Sequence, residues 1–269
     1  MSLNGSKATK KKDRDIVSKI PNWGWLLLSF LTAILLWFVL SIGETTSRCF
    51  PFIDKVAPAV GTMIQRGVLG KDFVSSMISV LLGFILGFVT AVPIAFLMAW
   101  YRPVRYILEP WIQFIRNIPP LAYVPLVVIG AGVGRKPQVI VIWLATFLIM
   151  TVTIYQGVIN VDETLIKAAR VLGAKDRDIF VKVIFPATTP FIITAIRLGI
   201  SVALTTLIAA ETTGAQAGLG MRIRALGNSY EVPPMLLYII IIGIIGMICE
   251  KLIKLLERKV TGWQEKREI

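Results

Sequence analysis

The chain has no histidine in its 269 residues. That removes imidazole metal ligands, the commonest general acid and base, and any Ser/His or Cys/His nucleophile pair. Cysteine is nearly as scarce: Cys49 and Cys249 lie far apart and form no CxxC, so neither a disulfide nor a metal site is implied. No GxxxxGK[ST] phosphate loop occurs, which excludes the usual nucleotide cradle from this chain. Charge is low as well, at 17% of residues against 55% hydrophobic, and the mean hydropathy is +0.73. Such a chain is too apolar for one soluble domain of this size, and a bilayer is its natural solvent. Acidic residues number 16 against 29 basic, a net charge of +13. The basic residues sit between and beyond apolar runs and are not interleaved with stacking aromatics, which argues for membrane topology and against a nucleic-acid partner.

What is present is a series of apolar runs. Crossing the hydrocarbon core takes about 20 residues of helix, and six stretches qualify: 23–43, 73–101, 111–133, 139–157, 190–213 and 235–256. The expected fold class is therefore all-α, a polytopic membrane protein with about six transmembrane helices. Residues 1–22 form a basic amino-terminal segment resembling a signal-peptide n-region, but the run at 23–43 is of spanning length and is read as an anchor. Residues 73–257 read as the main transmembrane domain and 258–269 as a tail. Lys and Arg in short loops favour the cytoplasm. That rule places both termini and residues 158–186 inside; only Arg135 and Lys136, on an outer loop, oppose it. Gly83 and Gly87 form a GxxxG in the second run, a packing signal, and Pro93 offers a kink. Residues 214–220 read as a flexible outer loop.

The most patterned stretch is the inner loop at 160–186. Asn160 with Glu163 resembles a capping box, and Leu165, Ala168, Ala169 and Leu172 follow at i, i+3, i+4 and i+7 as one apolar face. Gly173 is expected to stop this helix, Asp176 to cap a second, and Ile179, Phe180, Val183 and Ile184 to continue the apolar face until Pro186 closes it. Lys167, Arg170, Lys175, Arg177 and Lys182 face water or a partner. By composition alone the segment could instead lie on the bilayer with its basic face toward anionic lipid.

Ala168, Ala169, Gly173 and Pro186, with the distances between them, resemble the cytoplasmic signature of ABC importer permeases, although Lys167, Val183 and Phe185 replace the usual Glu, Ile and Leu. The likeness extends over 73–263 through Arg116-Asn117-Ile118-Pro119-Pro120-Leu121, Gly132-Val133-Gly134, Ala209-Ala210-Glu211 and Gly218-Leu219-Gly220, and is similar to the nitrate, sulfonate, taurine and bicarbonate branch. The resemblance implies a type I importer permease fold and a coupling helix that docks on a cytoplasmic ATPase through Leu165, Ala168, Ala169, Leu172, Gly173 and Pro186. It also implies a second permease copy, an ATPase dimer that binds ATP and Mg²⁺, an external solute-binding protein, and no cofactor in this chain. The implied cargo is a small solute such as a sulfonate, taurine or nitrate.

Charges inside spans are costly and usually face a cavity. Arg197 and Glu211 lie 14 residues apart in the fifth run, about 21 Å along a helix and within about 40° of one face, with Ser201 and Thr205 on or beside that face. They are expected to line the translocation path; alternatively, Arg197 and Glu211 are interfacial residues snorkelling or pairing at helix ends. Pro119 and Pro120 remove two amide donors next to Tyr123. These three either belong to a broken segment lining a cavity or mark a cytoplasmic turn. Glu250 is assigned to an inner helix end without a transport role. An ion-coupled secondary transporter is the alternative, disfavoured by the lack of an inverted repeat of interrupted spans and by the small number of intramembrane carboxylates that could carry a coupling ion. An intramembrane enzyme lacks a catalytic set.

Overall fold

The structure, a computed structural model, describes residues 21–260, so the basic stretch through residue 20 and the tail from 261 lie outside the described residues. All regular structure among them is helical. The chain divides into two compact units, 1–58 and 59–269. The first holds helix α1 (Asn22–Ile42) and a 3-10 turn at Thr46–Arg48. Trp23, Leu26, Phe30, Leu31 and Leu35 of α1 are all more than half exposed, the surface of a helix whose solvent is lipid. Trp37 Nε1 donates to the Pro51 carbonyl at 3.0 Å and its ring meets Phe50 edge-on, fixing the turn after the span.

Helix α2 (Ile53–Gln65) lies between the first two apolar runs; Val56, Ala59 and Met63 recur on one buried face, a short period masked in the sequence by Asp54, Lys55 and Pro58. The second unit then runs through α3 (Val68–Trp100), α4 (Arg102–Arg116), α5 (Pro120–Ala131), α6 (Arg135–Ile159), α7 (Glu163–Val171) and α8 (Asp176–Ile179). A π-helical turn (Phe180–Ile184) leads into α9 (Phe185–Glu211), and α10 (Leu219–Asn228) and α11 (Val232–Val260) complete it. Among the described residues five helices are long and apolar enough to span, or six if the bent pair α4 and α5 counts as one.

The core is a sheet-like row of three helices in which α6 packs between α3 and α9. Small residues permit the approach: Ala91, Ala95 and Ala195 are fully buried beside Met150 and Ile154. A Cβ on Gly83 would stand 2.6 Å from Ile142 Cγ2, and one on Gly87 would stand 2.1 Å from Thr146 Oγ1, so the GxxxG is a helix-packing face as expected. Lipid tails are as apolar as leucine, so this contact gains from close van der Waals fit and not from removal of water. Helix α3 continues past Pro93 to Trp100.

Two expected boundaries differ. The third run, placed at 111–133, is two helices bent by 104° around Asn117–Pro119. Proline at the N-cap and first turn of α5 supplies no amide donors, so the chain can change direction there without orphaning N–H groups. The 12 residues of α5 rise only about 18 Å, short of a hydrocarbon core about 30 Å thick. Pro186, expected to close a helix, instead lies in the first turn of α9 within a continuous helical run from Asp176 to Glu211. Since Pro186 cannot donate to a carbonyl four residues back, the ladder widens just before it, and the Phe185 N–H bonds to the Phe180 carbonyl.

Substituting Gly87→Ile should lower the thermal unfolding midpoint of the purified chain, at a cost of about 2 kcal/mol from overpacking. Gly61→Ala, whose added methyl meets nothing within 4 Å, should leave it unchanged. Differential scanning fluorimetry in detergent measures both.

Candidate functional site

Candidate residues gather at the two ends of α6, whose 25 residues place those ends about 37 Å apart. At the Ile159 end, α7 is capped by Asp162, whose Oδ1 accepts the Thr164 N–H at 2.8 Å; that hydrogen bond holds the carboxyl below the usual aspartate range. The expected capping box is thus displaced: Asn160 terminates α6, its Nδ2 donating to the Gln156 carbonyl. Glu163 pairs instead with Lys167 one turn on, at 2.8 Å. Gly173 does stop the helix, at φ +81°, which favours glycine. Its N–H bonds to the Arg170 carbonyl and that of Ala174 to Ala169, both at 3.0 Å, forming a Schellman closure. Asp176 begins α8 within its first turn, where the N-cap is Lys175, and not as the expected cap.

The expected apolar face of this segment divides in two. Ile166, Ala169, Ala174 and Phe180 pack on the core, and Phe180 meets Phe96 at 5.2 Å and Trp100 at 5.6 Å between ring centroids. Leu165, Ala168 and Leu172 point away, with Leu172 87% exposed. Val171, absent from the expected set, is 88% exposed beside it. Apolar residues at 165, 166, 168, 169, 171 and 172 cover more arc than a single inward stripe, and that width was the available signal.

At the opposite end, five segments converge on two buried carboxylates. Asp72 of α3 is fully buried and accepts from Arg222 Nε at 2.8 Å, Tyr238 Oη at 3.1 Å and the Gly218 N–H at 3.1 Å. Glu211, also fully buried, accepts from Ser76 Oγ at 2.6 Å and the Gly220 N–H at 2.7 Å. Ser76 Oγ in turn accepts the Leu219 N–H at 2.8 Å. Helix α10 therefore has its first amides satisfied by side chains of α3 and α9, and its positive end faces two carboxylates. The bond to Asp72 raises the pKa of Arg222 and so holds it charged. A Cβ on Gly218 would fall 2.3 Å from Glu211 Oε1, so only glycine admits the carboxylate there. Residues 214–220, expected as a flexible loop, are locked in part by this clamp. Asp72 escaped the sequence reading because its partners lie about 150 residues away.

The expected stripe along α9 splits for a geometric reason. On a helical wheel Thr205 and Glu211 are about 120° apart, although each lies within about 80° of Arg197. Glu211 turns into the clamp, while Arg197, Ser201 and Thr205 line a groove of about 510 Å³ between α9 and α11. Arg197, in the middle of α9, is ion-paired with Glu257 of α11. Phe191, Thr194, Leu198, Ser201 and Thr205 are exposed at spacings of 3, 4, 3 and 4 residues, forming one open face of α9. Pro119 is exposed at the α4–α5 break, and Pro120 and Tyr123 are half-buried on α5. The prolines lie on a different element from the α9 groove, and neither they nor Tyr123 line it.

Comparison with known proteins matches residues 83–262 to the family described as binding-protein-dependent transport system inner membrane component. A probable ABC transporter permease protein of Brucella abortus (strain 2308) is 43% identical over 93% of this chain and 99% of that protein. The taurine transport system permease protein of Escherichia coli K12 is 30% identical over 91% of this chain and 94% of that one. The nitrate import permease protein of Synechocystis is 26% identical over 87% of each. Among solved structures, an inward-facing MetNI methionine ABC transporter aligns with a TM-score of 0.64 at 17% identity, covering 73% of this chain and 97% of that one, and so shares the fold.

Removing the carboxylate with Asp72→Ala leaves Arg222 without its charge partner, at a cost of about 3 kcal/mol. The expected readout is faster tryptic cleavage at Arg222 and Arg224 as α10 comes loose, together with a lower unfolding midpoint.

Proposed function

The chain belongs to the binding-protein-dependent transport family of inner-membrane components, the permease subunits of ABC importers, and from that premise we propose how its two ends divide the work. It is a transport subunit, and ATP hydrolysis lies in a separate partner chain. The exposed patch of Leu165, Ala168, Val171 and Leu172, beside Gly173, is the surface that docks on a dimer of those ATPases, where ATP and Mg²⁺ bind. The observation that carries this reading is an apolar surface on a helix held rigidly from behind. Asp162 and the glycine closure fix the two ends of α7, while Ile166 and Ala169 fasten its inner face to the core.

Motion at the patch has two routes into the membrane. One is the contact of Phe180 with Phe96 and Trp100 at the end of α3. The other is the unbroken helical run through the π turn into α9. The wide turn before Pro186 is the natural place for that rod to flex, since one ladder bond is already missing there. Both termini and α7 then face the cytoplasm, and the Asp72 clamp faces outward toward the solute-binding protein.

Two copies of this chain would complete the path, meeting along the open face of α9 with Ser201 and Thr205 lining it and Pro119, Pro120 and Tyr123 at the broken segment beside it. Arg197 and Glu257 would close its inner end. Trp23, Phe30 and their neighbours on α1 contact lipid. The relatives that move taurine, aliphatic sulfonates and nitrate support a small anionic solute.

Proteoliposomes containing the chain, its ATPase and its binding protein should show ATP-driven uptake of such a solute. The pair Val171→Asp and Leu172→Asp should reduce uptake at least about tenfold without lowering the unfolding midpoint, because both side chains are exposed. Uptake that follows an ion gradient and ignores ATP and this pair would overturn the importer reading.

A further inference from the structure

The one pair of cations that opposes the charge rule for topology, Arg135 and Lys136, begins α6 at the end bearing the clamp. Beside them a groove of about 630 Å³ opens between the first turn of α3, the first turn of α6 and the segment after α9. Lys71, Ser75, Arg135, Gln138 and Gln216 are its polar lining. We propose that this groove is an anion-binding site, in which Lys71, Arg135 and the Gln138 amide receive a small oxyanionic solute at the outer mouth of the permease.

Four observations carry the assignment. Lys71 and Arg135 are exposed and have no ion-pair partner among the described residues. The adjacent carboxylates are unavailable to neutralise them, because Asp72 is held by Arg222 and Tyr238, and Glu211 by Ser76 and Gly220. Gln138 is only 3% exposed; its Oε1 accepts from Ser79 Oγ at 2.9 Å, while its amide nitrogen has no hydrogen-bond partner and lies on the groove. That nitrogen is reached by the groove's solvent, where an anion's oxygen can replace water as its acceptor. Helix α6 also starts on the groove's lining, at Gly134 and Arg135, with no side-chain cap, which sets its positive dipole end beside the same space. Ser75 adds no donor, since its hydroxyl is committed to the Ala217 carbonyl at 3.1 Å.

The chemistry fits a sulfonate, nitrate or carboxylate group, and a lipid phosphate carries the same oxygens. Concavity and the recessed amide favour the free solute over a flat protein partner. The outward sidedness rests on the importer reading above. Held there, a solute released by a binding protein would be retained at the mouth by charge, and high ionic strength would weaken the effect.

The test uses the full chain in phosphatidylcholine nanodiscs, with Cys49→Ser and Cys249→Ser and a reporter at Gln216→Cys labelled by N-ethylmaleimide. Methanesulfonate at ten times its half-protecting concentration should slow labelling about tenfold, whereas uncharged dimethyl sulfone should not. Adding Lys71→Gln and Arg135→Gln should abolish protection, and Arg135→Lys alone should preserve it. Equal labelling with and without methanesulfonate would overturn the site. So would protection that appears only with phosphatidylglycerol in the disc, or only with binding protein present, which would assign the groove to a lipid headgroup or to docking. No ATPase enters this measurement. Intact ATP-driven uptake with an unprotected reporter therefore overturns the groove alone, and protection without ATP-driven uptake overturns the importer reading alone.

Discussion

The approach of α3 to α6 across Gly83 and Gly87 sets the geometry on which the other features rest. With no Cβ at either position, the two backbones come near enough for Thr146 Oγ1 to lie within 3.4 Å of the Gly83 carbonyl. A bilayer gives no hydrophobic reward for burying one apolar helix against another, so contact must come from shape. Once α3 lies against α6, the start of α3 brings Asp72, Ser75 and Ser76 beside the start of α6, and its end brings Phe96 and Trp100 against the segment after α7. The same contact therefore positions both ends of the molecule.

The two ends use opposite physics. At the clamp, two buried carboxylates and a guanidinium are kept only because every one of them is bonded, and the amides of α10 complete the set. A buried charge left unpaired would be far more costly than an apolar replacement. The bonds tie α3, α9, α10 and α11 into one collar. At the α7 end none of the described residues is a buried charge. The ion pairs there are exposed and contribute little, and rigidity comes from caps and aromatic contacts behind a bare apolar patch. A bonded collar at one end and a helix stiffened from behind at the other are what the proposed division of work between the two ends requires.

Between them, backbone irregularities mark where movement is least resisted. Proline causes both: Pro119 and Pro120 at the α4–α5 break, and Pro186 after the π turn. In a membrane each missing bond must be compensated locally. The chain does so by placing the prolines at a helix start in one case and widening the ladder by a residue in the other.

Much of this was legible in the sequence because hydropathy and short-range spacing are local quantities. Apolar runs of spanning length, the absence of histidine and phosphate loops, the GxxxG face, the Gly173 stop and the spacing from Ala168 to Pro186 fixed the membrane class, the helical fold and the family. Local pattern also misled where two residues could serve one role: Asp162 displaced Asn160 as cap, and Pro186 entered a helix it was expected to end. What only tertiary structure decided were contacts between residues distant in sequence. Asp72 with Arg222 and Tyr238, Ser76 with Glu211, and the gathering of Lys71, Arg135 and Gln138 around one groove depend on helix packing and leave no periodic trace. Such polar groups are isolated letters in apolar runs, and their meaning is set by which helix end the fold brings opposite them.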